Sequence, residues 1–164
     1  TTIYEGTTGI QANDLILRKL MRDKGITAQT VFAEIRGAIR ALAATDKPEL
    51  EAIALKLEVA LKAWVDATEW ILTTAKSGLS GVLTAAVPYL HLAVVVTGGW
   101  MMAKSALAAS GYLDSAEGDQ AFYRSKVATA RFYADQQLPQ AAAYADTVKA
   151  GDNAIAGIIG DELF

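Results

Sequence analysis

An uncharged stretch in the middle of the chain constrains the fold most. No Asp, Glu, Lys or Arg lies between Lys76 and Lys104, and residues 79–103 are long enough to cross a bilayer, which takes about 20 apolar residues. Polar and helix-perturbing residues interrupt the stretch, and no basic cluster marks a cytoplasmic side. The interruptions are Gly81, Thr84, Pro88, His91, Thr97, Gly98 and Gly99. We therefore favour the central helix of a bundle, which is apolar all round, over a spanning helix, and predict no transmembrane segment.

Helical periodicity dominates the rest of the chain, which has few alternating β-branched runs and only 3 prolines. An amphipathic helix is expected over about 28–44. A longer helix is expected after Pro48, with apolar residues at three-and-four spacing, as in the seam of a bundle. The seam residues are Leu50, Ile53, Leu57, Leu61, Trp64, Thr68 and Ile71. We predict an all-α fold, an up-down helical bundle of about four to five helices.

Glycine and proline divide this pattern further. A first helix is expected from about Thr8 to Lys24, with Gly25 as its C-terminal stop. Its apolar residues lie all round it, so that it needs cover on several sides. Pro88 should start or kink the central helix, and Gly98 with Gly99 should let a neighbouring helix come close. Pro139 should bend the last long helix.

Polar residues predict the turns. Asp46 can cap the helix that follows Pro48. Residues 111–119, rich in Gly, Asp and Ser, are expected to form a loop. Residues 151–164 either pack as a short helix or are irregular, and the sequence leaves both possibilities open.

Composition excludes several classes of protein. With 164 residues, 52% of them hydrophobic, the chain can bury the core of about one domain. It has no cysteine, which excludes a disulfide scaffold, cysteine-ligated zinc and a thiol nucleophile. A net charge of -3 without a basic cluster gives no reason to expect nucleic acid as a partner.

Few isolated side chains suggest chemistry. His91, the single histidine, is predicted to be a hydrogen-bonded core residue, because no nucleophile is paired with it in the sequence. Asp66 and Glu69 are predicted to lie on a solvated face, and no metal site is indicated. Basic residues near the C-terminus are predicted to be ordinary exposed side chains. These are Arg124, Lys126 and Arg131.

The N-terminal segment carries a carboxylate on a loop of glycine and threonine that runs into a helix. Gly6 permits a positive φ, and Thr8 with Gln11 has the spacing of a capping box. Taken alone, these residues favour an ordinary helix N-terminus over a functional site. The run that carries more information is Ile3-Tyr4-Glu5-Gly6-Thr7-Thr8-Gly9-Ile10-Gln11.

This run resembles the catalytic-base segment of the acyl-CoA dehydrogenases. The resemblance implies that Glu5 removes the α-proton of an acyl thioester, while hydride leaves the β-carbon for FAD. It implies that Gly6 lies at the substrate and that Thr7, Thr8 and Gly9 lie at the flavin. Many members carry Gln at the place of Gly9, so only a backbone contact to the flavin is expected there.

The later helices resemble the additional C-terminal domain of the bacterial-type, 3-methylthiopropanoyl-CoA dehydrogenase-like branch of this family. The phrases that carry this resemblance are Pro88-Tyr89-Leu90, Gly98-Gly99-Trp100, Ala128-Thr129-Ala130-Arg131-Phe132-Tyr133-Ala134 and Leu138-Pro139. Residues 1–25 are therefore expected to end the catalytic region, and residues 26–164 to form the additional domain. Since most of the active site would lie upstream, the chain alone is expected to be inactive.

The resemblance also implies partners and a location. The expected partners are an acyl-CoA substrate, FAD held mainly by the upstream region, and electron-transferring flavoprotein as the electron acceptor. The full-length enzyme is expected to be a homo-oligomer in the cytoplasm. The alternative is a non-enzymatic helical protein-interaction module whose N-terminus merely looks like the motif.

Overall fold

The computed structural model describes residues 7–151, and every regular element in that range is helical. Five helices of ten or more residues form the body of a bundle, which confirms the all-α prediction. The elements are α1 (Thr8–Asp14), the π-helical segment π1 (Leu15–Leu20), α2 (Ile26–Ala43), α3 (Pro48–Thr74), α4 (Ser80–Thr84), α5 (Ala86–Ser115), α6 (Gln120–Gln136) and α7 (Gln140–Lys149).

The uncharged stretch forms most of α5, the central helix, which contacts α1, α2, α3, α6 and α7. Within residues 7–151, α5 is also the one helix whose length and composition would suit a membrane span. Of its most apolar 18-residue segment, 39% is buried. Neighbours on several sides are what an apolar helix at the centre of a bundle requires. The absence of a transmembrane segment stays a prediction.

The seam of α3 is confirmed, because all seven residues predicted for it are buried. α3 packs against α2, α5, α6 and α7. The sequence pattern missed one large partner of this seam, Phe32 of α2, which is fully buried. Its ring meets that of Trp64 edge to face, with 4.9 Å between centroids.

Two glycines let α5 approach its neighbours closely, as predicted. A Cβ built on Gly99 would lie 2.5 Å from Cδ2 of Leu138, and one built on Gly98 would overlap the phenol of Tyr133. The Tyr133 hydroxyl donates a hydrogen bond to the carbonyl oxygen of Val95 at 3.1 Å. Small residues at this crossing therefore determine how α6 and the start of α7 sit on α5.

The predicted loop over residues 111–119 is wrong in its first half, since α5 continues to Ser115. Ala106, Ala109 and Ser110 are buried in the last turns, so tertiary packing overrides the preference of Gly111 for a turn. The actual connection is short. Asp119 ends it by accepting hydrogen bonds from two N–H groups of α6, at 3.0 and 3.1 Å.

Other boundaries match the prediction in part. Pro88 lies in the first turn of α5, and Pro139 separates α6 from α7. Asp46 does not cap α3. It adopts a left-handed conformation (φ +52°), and the N-cap residue is Lys47. Beyond residue 151 the C-terminal tail lies outside the described residues.

The first helix is not a continuous α-helix. In π1 the bonds are one residue longer, and the N–H of Met21 donates to the carbonyl of Ile16 at 2.8 Å. The segment ends at Leu20, about four residues before the predicted end at Lys24. Gly25 lies in the turn that follows, as the N-cap residue of α2, with φ +83° and its N–H 2.9 Å from the carbonyl oxygen of Leu20. The wide turn keeps Ile16 and Leu20 buried together.

Candidate functional site

The part of the candidate site within the described residues is the start of α1. Thr7 is the N-cap residue, and the N–H of Gln11 donates to the Thr7 carbonyl at 2.9 Å. The predicted capping box from Thr8 is therefore wrong, since Thr8 already lies inside the helix. Glu5 and Gly6 lie outside the described residues, so their predicted roles stay predictions.

Gly9 presents open backbone. A Cβ built on it would meet no atom within 4 Å, and the residue is exposed. The amides of Thr8 and Gly9 precede the first intrahelical hydrogen bond, so they belong to the group of N–H donors that a helix leaves unpaired internally. Such donors at the positive end of a helix can bind an anionic or carbonyl-bearing ligand.

The charged side chains of α1 do not oppose the binding of an anionic ligand at its N-terminal end. The first turn of α1 contains no acidic residue. Asp14, at the other end of the helix, pairs with Arg18, and the two groups share hydrogen bonds, one of them 2.8 Å long. This contact holds the pKa of Asp14 below its usual value and raises the pKa of Arg18.

The bundle holds α1 and π1 on one side only. Ala12, Ile16 and Leu20 are buried, whereas the apolar side chains of Ile10 and Leu17 are exposed. The sequence predicted that this helix needs cover on several sides, and within residues 7–151 the cover is incomplete. The segment that leads to the candidate site is thus attached firmly to the bundle and presents a second apolar side.

A groove of about 350 Å³ lies beside π1, between π1, α2, α3 and α5. Leu15, Val31, Trp64, Leu90 and Val94 provide most of its apolar lining. Sequence reasoning missed this groove because four separate elements build it.

One polar network lies behind the groove. The hydroxyl groups of Thr68 and Tyr89 are 2.9 Å apart, and Thr68 also donates to the Trp64 carbonyl oxygen at 2.7 Å. Burial raises the pKa of Tyr89, and the contacts with Thr68 and Trp64 oppose that change. The indole N–H of Trp64 is buried and lies near this pair without a hydrogen bond of normal geometry to any described group.

His91 corrects another prediction. It is exposed, and its ring stacks on Tyr144 with 5.5 Å between centroids, so it is not a core histidine. The helix pattern failed here because α5, although apolar all round in sequence, leaves one side uncovered. Among residues 7–151 no group of three or more His, Cys, Asp or Glu side chains is placed to hold a metal ion.

Three of the remaining charged candidates have ordinary surface partners. Asp66 pairs with Lys62 at 2.7 Å, and Arg131 pairs with Asp135 at 2.7 Å. The ammonium group of Lys126 lies 5.0 Å from the centre of the Phe122 ring. These contacts within single helices agree with solvated faces.

Comparison with known proteins gives two kinds of match. The profile of the family described as acetyl-CoA dehydrogenase C-terminal like matches residues 31–158. The chain is similar to 3-methylmercaptopropionyl-CoA dehydrogenase of Ruegeria pomeroyi, with 38% identity over 141 residues, 86% of this chain and 24% of the relative. It is also similar to the broad-specificity linear acyl-CoA dehydrogenase FadE5 of Mycobacterium tuberculosis, with 29% identity over 160 residues, 94% of this chain and 26% of the relative. The chain thus spans about a quarter of the length of these relatives.

Proposed function

Because this chain belongs to the acetyl-CoA dehydrogenase C-terminal like family, we propose that it is the C-terminal part of a flavin-dependent acyl-CoA dehydrogenase. The reaction is oxidation of an acyl-CoA to the 2,3-enoyl-CoA. The observation that carries the proposal is the match of nearly the whole chain to a quarter of two relatives, both named as acyl-CoA dehydrogenases. Those matches favour the enzyme over a non-enzymatic interaction module.

In this proposal Glu5 is the general base. Its carboxylate takes the α-proton of the acyl thioester, a step that requires a pKa raised toward the working pH by a water-poor pocket. Gly6 lets the backbone come close to the thioester without a Cβ between them.

Thr7, Thr8 and Gly9 are assigned to FAD. The open backbone at Gly9 and the absence of acidic residues in the first turn of α1 suit a phosphate-bearing ligand. When bound, FAD supplies the acceptor for the hydride from the β-carbon. The upstream region would provide most of the flavin site, so this chain alone should not hold FAD.

We propose a domain boundary after Gly25, which adopts a left-handed conformation. Residues 1–25 end the catalytic region, and residues 26–164 form the additional helical domain. Since α1 packs on α5, the bundle fixes the helix that follows Glu5 in the chain. We further propose electron-transferring flavoprotein as the acceptor, a homo-oligomeric enzyme and a cytoplasmic location, each by analogy with the family.

The variant Glu5→Gln in the full-length polypeptide tests the proposal. The amide keeps the shape of the side chain but cannot accept the proton, so flavin reduction by acyl-CoA should slow by about 10²–10⁴-fold. Binding of FAD and acyl-CoA should be retained. Glu34→Gln, on the exposed side of α2, is the matched control and should reduce its flavin at the parent rate. If Glu5→Gln stays within about tenfold of the parent, Glu5 is not the base.

A further inference from the structure

We infer that an exposed apolar face of α5 is the docking surface for the upstream region of the same polypeptide, an inference that rests on the proposed function. We call this face the α5 surface and define it by Val87, Val94 and Met101. These residues are 36%, 59% and 46% exposed. No Asp, Glu, Lys or Arg lies between Lys76 and Lys104, although the exposed His91 stands between Val87 and Val94 on this side of the helix.

The three residues form a line because they recur every seven positions, which places them on one side of a helix. From the first to the last they extend over about 21 Å, at 1.5 Å per residue. Other sides of α5 are covered by the bundle, as the burial of Leu92, Val96 and Gly99 shows. A line of exposed apolar residues of this kind on a folded domain is a candidate interaction site.

The α5 surface continues into the first elements of the chain. Val94 also lines the groove beside π1, together with Leu15. On α1 and π1, Ile10 and Leu17 are exposed as well. The polypeptide that precedes residue 7 therefore joins the bundle next to an uncovered apolar side.

The relatives indicate what covers it. This chain corresponds to 24% and 26% of their lengths, so the proposed enzyme attaches a much larger body through α1. That tether gives the upstream region a high effective concentration at the α5 surface, which a separate partner would lack.

A comparison within the bundle supports the choice of face. Val59 on α3 is 67% exposed and has an exposed apolar neighbour, Leu55. Charged residues flank it as well, since Glu58 and Lys62 are close in the helix and Lys62 pairs with Asp66. Such a position is an ordinary solvated site. Val59 therefore offers a matched control for Val94, since both are exposed valines on long helices.

The test places single thiols on the two helices of the full-length polypeptide, as Val94→Cys and Val59→Cys. Residues 1–164 contain no cysteine, so alkylation of each new thiol by iodoacetamide can be followed by mass spectrometry of its own peptide. The thiol of Val94→Cys should react at least about tenfold more slowly than that of Val59→Cys, because labelling then requires the docked body to open. In urea the two rates should become equal.

Equal rates in the native polypeptide would overturn the inference. Protection of Val94→Cys that disappears on dilution would also overturn it, since a second copy would then be the occupant. The labelling does not depend on turnover. Protection in a polypeptide that fails to bind flavin or to oxidise acyl-CoA would therefore refute the proposed function and leave the docking surface in place.

Discussion

Replacing Gly99 with alanine should destabilise the bundle, although alanine is the better helix former. Gly99 is buried in the middle of α5. A Cβ built there lies 2.5 Å from Cδ2 of Leu138 and 3.2 Å from its Cγ, distances at which Leu138 must move. Leu138 is itself buried, so it has little free space to move into.

The size of the effect follows from two opposing contributions. Alanine gains about 1 kcal/mol over glycine inside a helix, whereas overpacking a core costs about 1–3 kcal/mol. Gly111 lies in the same helix, and a Cβ built on it meets no atom within 4 Å. Because the gain in helix propensity cancels in the comparison, Gly99→Ala should be less stable than Gly111→Ala by about 1–3 kcal/mol.

Urea unfolding followed by the helical circular dichroism signal would measure this difference. In a Leu138→Ala background the added methyl group fills space instead of clashing, so Gly99→Ala should become neutral or stabilising. The reasoning is refuted if Gly99→Ala stabilises the parent as much as Gly111→Ala does, or if its effect is the same in both backgrounds.

Three further predictions concern the fold. Burial raises the pKa of Tyr89 above its usual 10.0, so the unfolded chain loses this proton at a lower pH than the folded chain does. The free energy of unfolding should therefore fall as pH rises past about 10. Tyr89→Phe should make that fall less steep, and an unchanged slope would contradict the prediction. Asp119→Ala removes the acceptor of two hydrogen bonds and should cost about 0.5–2 kcal/mol in thermal unfolding, whereas Asp119→Asn should cost less. Gly25→Ala forces φ +83° on alanine and places its Cβ 2.9 Å from Cδ1 of Leu72, so it should lower the free energy of unfolding by at least about 1 kcal/mol. Gly9→Ala, where the Cβ meets open space, is the control. An equal loss of stability in both variants would refute the backbone strain at Gly25.

The main packing of the bundle could be predicted because its signals are local. The three-and-four spacing from Leu50 to Ile71 depends only on the helix period, and all seven residues of that seam are buried. The close approach at Gly98 and Gly99 could be predicted because glycine has no side chain. The turn at Gly25 could be predicted because glycine permits a positive φ.

The predictions that failed concern features that depend on contacts between residues far apart in the sequence. Gly111 stays helical because residues around it contact distant parts of the chain: Ser110 is buried, and Asp114 pairs with Lys47. A local turn preference cannot anticipate such contacts. π1 was missed because apolar residues surround the first helix, so periodicity does not reveal a wider turn. His91 was misplaced because the uncovered side of α5 depends on which neighbours the fold brings to it. Of the candidate site, Thr7, Thr8 and Gly9 are placed at a helix start, and the roles assigned to Glu5 and Gly6 stay predictions.

The most direct test of the central claim is the visible absorption spectrum of the full-length polypeptide, recorded without oxygen before and after a panel of saturated acyl-CoAs is added. The proposed function predicts an oxidised flavin spectrum that at least one acyl-CoA bleaches, with loss of that bleaching in Glu5→Gln. A protein that stays colourless after incubation with FAD, or a bound flavin that no acyl-CoA reduces, would contradict the assignment to an acyl-CoA dehydrogenase.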